Sequence, residues 1–207
     1  MKNRSVFLIT IGLCSLLASI ALANLSEIPA PTFDVGETWE YKNSFGSHTR
    51  TIKEVRPDGI LYTQNNEPNA VFMMDKNLTR VSIDGVATEG KGIGWKFIEF
   101  PMTIGKSFTY KVNSDNGTLF TIEVTAKKVE TIKVGAGSFE AVLLESCWKN
   151  EATRWEDCGM KHWYAPAVKT LIKRKTPGTW AASLKDKDFE LVKYVPAQMN
   201  VTSLVQQ

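Results

Sequence analysis

The sequence predicts an all-β protein, a single antiparallel meander curved into an open barrel or half-barrel, and three observations predict it. Turn chemistry recurs at short, regular intervals, at Phe45-Gly46-Ser47, Pro57-Asp58-Gly59, Asn65-Asn66-Glu67-Pro68, Asp75-Lys76-Asn77 and Asp84-Gly85, with strand-length segments between. Phe120, Ile122, Val124 and Ala126 alternate with Thr121, Glu123, Thr125 and Lys127, the pattern of a strand with one dry and one wet face. A repeat underlies both: Gly36, Trp39, Tyr41 and Lys42 recur as Gly105, Phe108, Tyr110 and Lys111, all at an offset of 69. In each copy a glycine at a turn precedes two aromatics that leave the same face of a strand. No segment of helix length is convincingly amphipathic, and only Trp180–Asp186 offers a turn or two of minor helix.

Taken in order, residues 1–23 have a basic start (Lys2, Arg4), an apolar run from Val6 to Leu22 and the small-residue site Ala21-Leu22-Ala23. These are the parts of a cleaved secretory signal peptide, so export to the periplasm or cell surface is expected. Cys14 lies inside the apolar run and would leave with it. Residues 24–32, with Pro29 and Pro31, form an extended leader that is expected to be loosely held. Residues 33–195 form one β domain built from two related halves. The glycine-rich stretch 86–94 divides the halves, and it is a loop rather than a domain boundary because a half of about 70 residues buries too little apolar surface to stand alone.

The first half places strands at Thr49–Val55, Ile60–Gln64, Ala70–Met74 and Leu78–Ile83. After the alternating run, further strands fall at Val129–Val134, Ser138–Ser146, around Arg154-Trp155, at Trp163-Tyr164, Val168–Lys175 and Phe189–Val195. Residues 196–207 are a polar tail. Beyond the signal peptide no segment is long and apolar enough to span a bilayer.

The net charge of +3 includes two positive charges in the signal segment. The remaining balance argues against nucleic acid, which calls for a basic face interleaved with aromatics. Cys147 and Cys158, with ten residues between them in an exported chain, predict a disulfide closing a hairpin. A metal site built from these cysteines and His162 would lack a fourth ligand of matching spacing.

Nucleophilic catalysis needs a base, and the chain offers only His48 and His162. His48 falls in an expected exposed hairpin turn, whereas His162 precedes Trp163-Tyr164 and is expected to be buried or stacked. Glu156 and Asp157 point to opposite faces of a strand and cannot share a substrate. Gly105-Lys106-Ser107 lacks both the upstream glycine and the helix of a phosphate-binding loop. No catalytic residue, cofactor or metal is therefore assigned, and an enzyme is not expected.

The six tryptophans serve packing between sheet faces or contact with a ligand. The leading functional expectation is non-catalytic binding, with Trp39, Tyr41, Phe108 and Tyr110 lining a concave face that holds a lipid or another apolar or amphiphilic ligand. The alternative is a structural or assembly module of the cell envelope acting on an envelope protein partner through protein contacts or edge strands. A third is a hydrolase acting on envelope sugars.

Three motifs occur in an order that resembles a family of uncharacterised exported bacterial domains: Phe100-Pro101-x-x-x-Gly105-Lys106-Ser107-Phe108, Val134-Gly135-Ala136-Gly137-Ser138-Phe139-Glu140-Ala141 and Trp163-Tyr164-Ala165-Pro166-Ala167-Val168. The resemblance covers nearly all of residues 33–195 and implies an exported, mostly β domain, similar at the level of fold to the curved half-barrel of periplasmic lipoprotein carriers. It carries no catalytic residues with it. The chain departs from the pattern after Pro166, where Ala167-Val168-Lys169-Thr170 stands in place of a glycine-containing corner, and in the segment bearing Cys147 and Cys158.

Overall fold

The computed structural model describes residues 27–87, 94–114, 117–178 and 188–197. The signal segment, the short helix expected near Trp180 and all but the first two residues of the polar tail lie outside the described residues. The first half contributes β1 (Thr38–Asn43), β2 (Gly46–Arg56), β3 (Gly59–Gln64), β4 (Glu67–Met74), β5 (Arg80–Ile83) and β6 (Val86–Ala87). The second contributes β7 (Ser107–Asn113), β8 (Leu119–Val134), β9 (Gly137–Asn150), β10 (Glu156–Ala165), β11 (Thr170–Lys175) and β12 (Phe189–Val195). A single 3-10 turn, Pro166–Val168, joins β10 to β11.

All twelve strands belong to one sheet, in the order β6-β5-β4-β3-β2-β1-β12-β11-β10-β9-β8-β7. Each half is an antiparallel meander, and the two meet where β1 pairs with β12. β6 and β7 occupy opposite edges, so the sheet is an open barrel or half-barrel.

Two expected strand breaks are absent. Val129–Val134 continues β8, and Trp163-Tyr164 belongs to an unbroken β10. A register shift between Ala126 and Lys128 lets β8 keep pairing with β9 along its whole length, since a bulge absorbs an extra residue without ending a ladder. Arg154, expected in a strand, takes a left-handed φ of 61° in the turn before β10. The alternation of β8 holds: Ile122, Val124 and Ala126 are buried. Cys147 and Cys158 oppose each other across β9 and β10 and form a disulfide.

The glycines that open the two aromatic repeats adopt one geometry. Gly36 (φ 93°) donates its N–H to Ile52 O at 3.0 Å, and Ile52 returns a bond to Glu37 O at 3.0 Å. Gly105 (φ 84°) donates to Ala126 O at 2.7 Å, and Ala126 returns one to Lys106 O at 3.0 Å. Such positive φ values come readily only to glycine.

The connection from β6 to β7 must travel from one sheet edge to the other. Its described part, residues 94–106, packs against the sheet, burying Ile98, Phe100 and Met102. Phe100 N–H donates to Asn77 Oδ1 at 3.0 Å, and the Phe100 ring meets Tyr164 edge-on at 5.3 Å. Met102 exchanges two backbone bonds of 2.8 Å with Ile28. The described part of the leader, residues 27–32, is therefore tied down where it was expected to be loose, because Ile28 is an apolar residue with a core to enter. One core cluster gathers Trp39, Tyr41, Ile52, Tyr62 and Phe72 with Ile172 and Leu191, and a second gathers Ile122, Val124, Leu144 and Trp148 with the crossing segment. Leu78 packs against both.

Candidate functional site

Trp39 and Tyr41 are two apart on β1 and project from one face. Residues directly opposite in a ladder share that face, which adds Arg50 and His48 of β2, opposite Trp39 and Tyr41, and then Gln64 of β3, opposite Arg50. On the far side of β12, His162 of β10 lies opposite Arg174 of β11. Trp39 Nε1 donates to Val168 O at 2.7 Å and the Tyr41 hydroxyl bonds Thr170 Oγ1 at 2.6 Å. Both contacts bridge from β1 past β12, a span of two strand spacings of roughly 5 Å each. Side chains cover that distance because the sheet bends there.

The bend encloses a cavity of about 400 Å³, within the ordinary range for small-molecule sites. Its walls include Phe33, Trp39, Tyr41 and Tyr62, with Trp95 and Phe97 supplied by the crossing segment. Phe45 also lines it and is 77% exposed, which marks the mouth at the turn between β1 and β2. Arg50, Arg80, Lys169 and Arg174 line it too, and no Asp or Glu does among the described residues.

Each cation has a distinct setting. Lys169 Nζ donates to buried Glu37 Oε1 at 2.6 Å and lies 3.6 Å from Asp34 Oδ2, both outside the lining. Arg50 Nε donates to Gln64 Oε1 at 2.9 Å, and its guanidinium lies 5.1 Å from the Tyr41 ring centre, a cation–π distance. Arg80 Nε donates to the Tyr62 hydroxyl at 3.1 Å and covers the Phe72 ring at 4.4 Å. Arg174 is buried, with Nε 3.9 Å from Asp188 Oδ1, a carboxylate that accepts from the Thr176 N–H and hydroxyl. Burial lowers the Arg174 pKa and Asp188 opposes that shift.

Both histidines stack on rings. His48 lies 5.4 Å from Tyr41, and burial, then Arg50 and Arg80, push its pKa down to about 4. His162 lies 4.0 Å from Phe97, and burial followed by the Arg174 charge holds it well below the usual histidine range. Both imidazoles are thus neutral at neutral pH. His48 was expected on an exposed turn. Instead β2 begins at Gly46, so His48 shares the inward face with Arg50 and Ile52 and is half-buried in the cavity.

The four aromatics expected to share a hollow are divided. Trp39 and Tyr41 line the cavity. Phe108 and Tyr110 stay on edge strand β7, stacked 6.2 Å apart, with Lys96 Nζ 5.0 Å from the Phe108 ring centre and a groove of only about 60 Å³ beside it. The two copies share local geometry, but strand order puts β1 at the centre of the sheet and β7 at its rim.

Sequence reasoning missed Arg50, Arg80, Arg174 and Phe97, and it weighed Trp95 only as one of six tryptophans. Arg174 had a legible signal, since it falls in phase with buried Ile172 on a half-buried strand. Phe97, which follows a glycine-rich loop, had none.

Fold and cavity together define an open antiparallel β domain with an internal, aromatic-walled, cation-bearing cavity. No family model and no curated protein matches the chain. Among solved structures it is similar to the hypothetical lipoprotein YmcC from Escherichia coli K12, at 9% identity over 83% of this chain and 90% of that one, with a TM-score of 0.46. It is also similar to a provisionally named exported protein with a YmcC-like fold from Bacteroides fragilis, at 14% identity over 82% of this chain and 98% of that one, with a TM-score of 0.38.

Proposed function

We propose that this chain is an exported, non-catalytic binding domain that holds an apolar or amphiphilic small molecule in the cavity between β1–β3 and β10–β11. The observation that carries the reading is an internal space of about 400 Å³ walled by aromatic rings and opening beside exposed Phe45. Mostly apolar walls with a few placed polar groups are the usual composition of ligand sites. A binding role fits the lining better than a catalytic one, because both imidazoles pack against rings and no carboxylate joins them among the described lining residues. Export rests on the signal-like segment at residues 1–23.

Titration with the apolar fluorophore N-phenyl-1-naphthylamine tests this. One saturable site is expected, weakened at least tenfold by Met74→Trp, which puts an indole into the cavity lining. Absence of saturable binding, or full binding by the filled variant, would reject it. A second reading, an envelope assembly module, draws on the open edge of β7, a place where another chain can add a strand. A stable oligomer in size-exclusion chromatography that dissociates when Tyr110→Pro is introduced into β7 would favour it.

A further inference from the structure

Three of the buried side-chain polar groups that lack a hydrogen-bond partner line the same cavity: Arg174 through Nε and Nη2, His162 through Nε2 and Trp95 through Nε1. Buried polar groups are nearly always satisfied, so each exception calls for an explanation. His162 and Arg174 are directly opposed across β10 and β11. Phe97 stacks on His162 at 4.0 Å and lies 6.3 Å from the Trp95 ring, so one phenyl ring adjoins both the imidazole and the indole. Guanidinium and indole N–H groups donate only, and an imidazole can present a donor at Nε2. The Arg174 and Trp95 atoms can only donate, so what they lack is an acceptor, and His162 adds a third donor in its Nε2–H tautomer.

We propose that Arg174, His162 and Trp95 form the headgroup subsite of the cavity, and that its occupant is an amphiphile ending in a carboxylate. The inference rests on the binding reading above and adds the chemistry of the bound end. The sign follows from the lining, which carries four cationic side chains and no carboxylate among its described residues. A single negative charge fits better than a double one, because Asp188 lies 3.9 Å from Arg174 Nε and already supplies part of the counter-charge. Trp39, Tyr41, Leu78 and Met74 provide the apolar wall along which a hydrocarbon chain would lie. A carboxylate accepting from a guanidinium is a charge-assisted bond, roughly twice as strong as a neutral one.

The test compares dodecanoate with 1-dodecanol, which share a chain and differ in charge, by displacement of N-phenyl-1-naphthylamine from the full mature protein. Dodecanoate is expected to bind at least about tenfold more tightly than the alcohol. Arg174→Gln should remove most of that preference, and saturable binding of N-phenyl-1-naphthylamine by the variant reports an intact cavity. Trp95→Phe removes only the indole N–H and should reduce the preference by a smaller factor, so the proposal stays testable if the Arg174 variant misfolds. Equal binding of acid and alcohol by the unsubstituted protein would overturn the headgroup subsite and leave the cavity reading standing. Binding of neither would overturn both. Displacement of dodecanoate by millimolar inorganic phosphate, with acetate inert, would overturn the carboxylate assignment in favour of a phosphate site.

Discussion

Glu37 and Lys169, 132 residues apart, meet through a 2.6 Å charge-assisted hydrogen bond that fastens the start of β1 to the corner before β11. Glu37 is 1% exposed and also accepts from the Tyr194 hydroxyl at 2.9 Å and the Asp34 N–H at 3.2 Å. Burial, then the hydrogen bond to Glu37, raises the Tyr194 pKa, so the phenol stays a donor. Lys169 stands at φ 59°, in the corner where a glycine was expected.

These facts predict opposed effects at one corner. Glu37→Ala leaves Lys169 and Tyr194 without their shared acceptor and should cost about 2–3 kcal/mol, below the full value for a buried pair because Lys169 is partly exposed and keeps Asp34. Lys169→Ala loses the ion pair and keeps the strained backbone, whereas Lys169→Gly loses the pair but relieves the strain. The glycine variant should therefore be the more stable of the two by about 1 kcal/mol. Urea midpoints of the three variants decide this, and an alanine variant as stable as the glycine one would remove the role of strain.

Gly36 and Gly105 should respond alike to substitution. A Cβ at either position meets nothing within 4 Å, so only the positive φ opposes alanine. Each change should cost roughly 1–2 kcal/mol. Denaturation of Gly36→Ala and Gly105→Ala side by side measures the pair, and a difference well beyond 1 kcal/mol would show that the shared backbone geometry is not matched in energy.

Stability should fall with acidification in a window set by His48. The unfolded imidazole takes up its proton near pH 6.5, but the folded one, stacked on Tyr41 and facing Arg50 and Arg80, does so near about 4. Between those values the unfolded chain binds more protons, so the stability present above pH 6.5 is lost progressively as pH falls toward 4. His162, also depressed, adds a contribution of the same sign. His48→Gln should lose less stability than the unsubstituted protein between pH 7 and pH 5. Equal losses in urea titrations at the two pH values would contradict the placement of His48.

Reduction of Cys147–Cys158 should lower stability by about 2–3 kcal/mol, the value for a loop of this size. Replacing both cysteines by alanine should reproduce the loss and make the protein insensitive to reductant. If reduction shifts the urea midpoint of the double variant as much as that of the parent, the effect lies elsewhere.

What the chain determines locally is legible in the sequence alone. The alternation of β8, the turn glycines at 36 and 105 and the cysteine pair all express rules that act over a few neighbouring residues. The same reasoning split β8 and β10 too finely, because a bulge or a left-handed residue resembles a strand end when the partner strand is unknown. The cavity was decided by tertiary structure. Trp39 bonds Val168 across 129 residues, and His162 meets Arg174 only because β10 and β11 pair. Strand order made one aromatic repeat central and left its sibling at the rim, and it drew the β6–β7 connection across the sheet to deliver Trp95 and Phe97. Local pattern sets which way a side chain faces. Which distant residues it then meets follows from how the whole sheet curls to bury its apolar face.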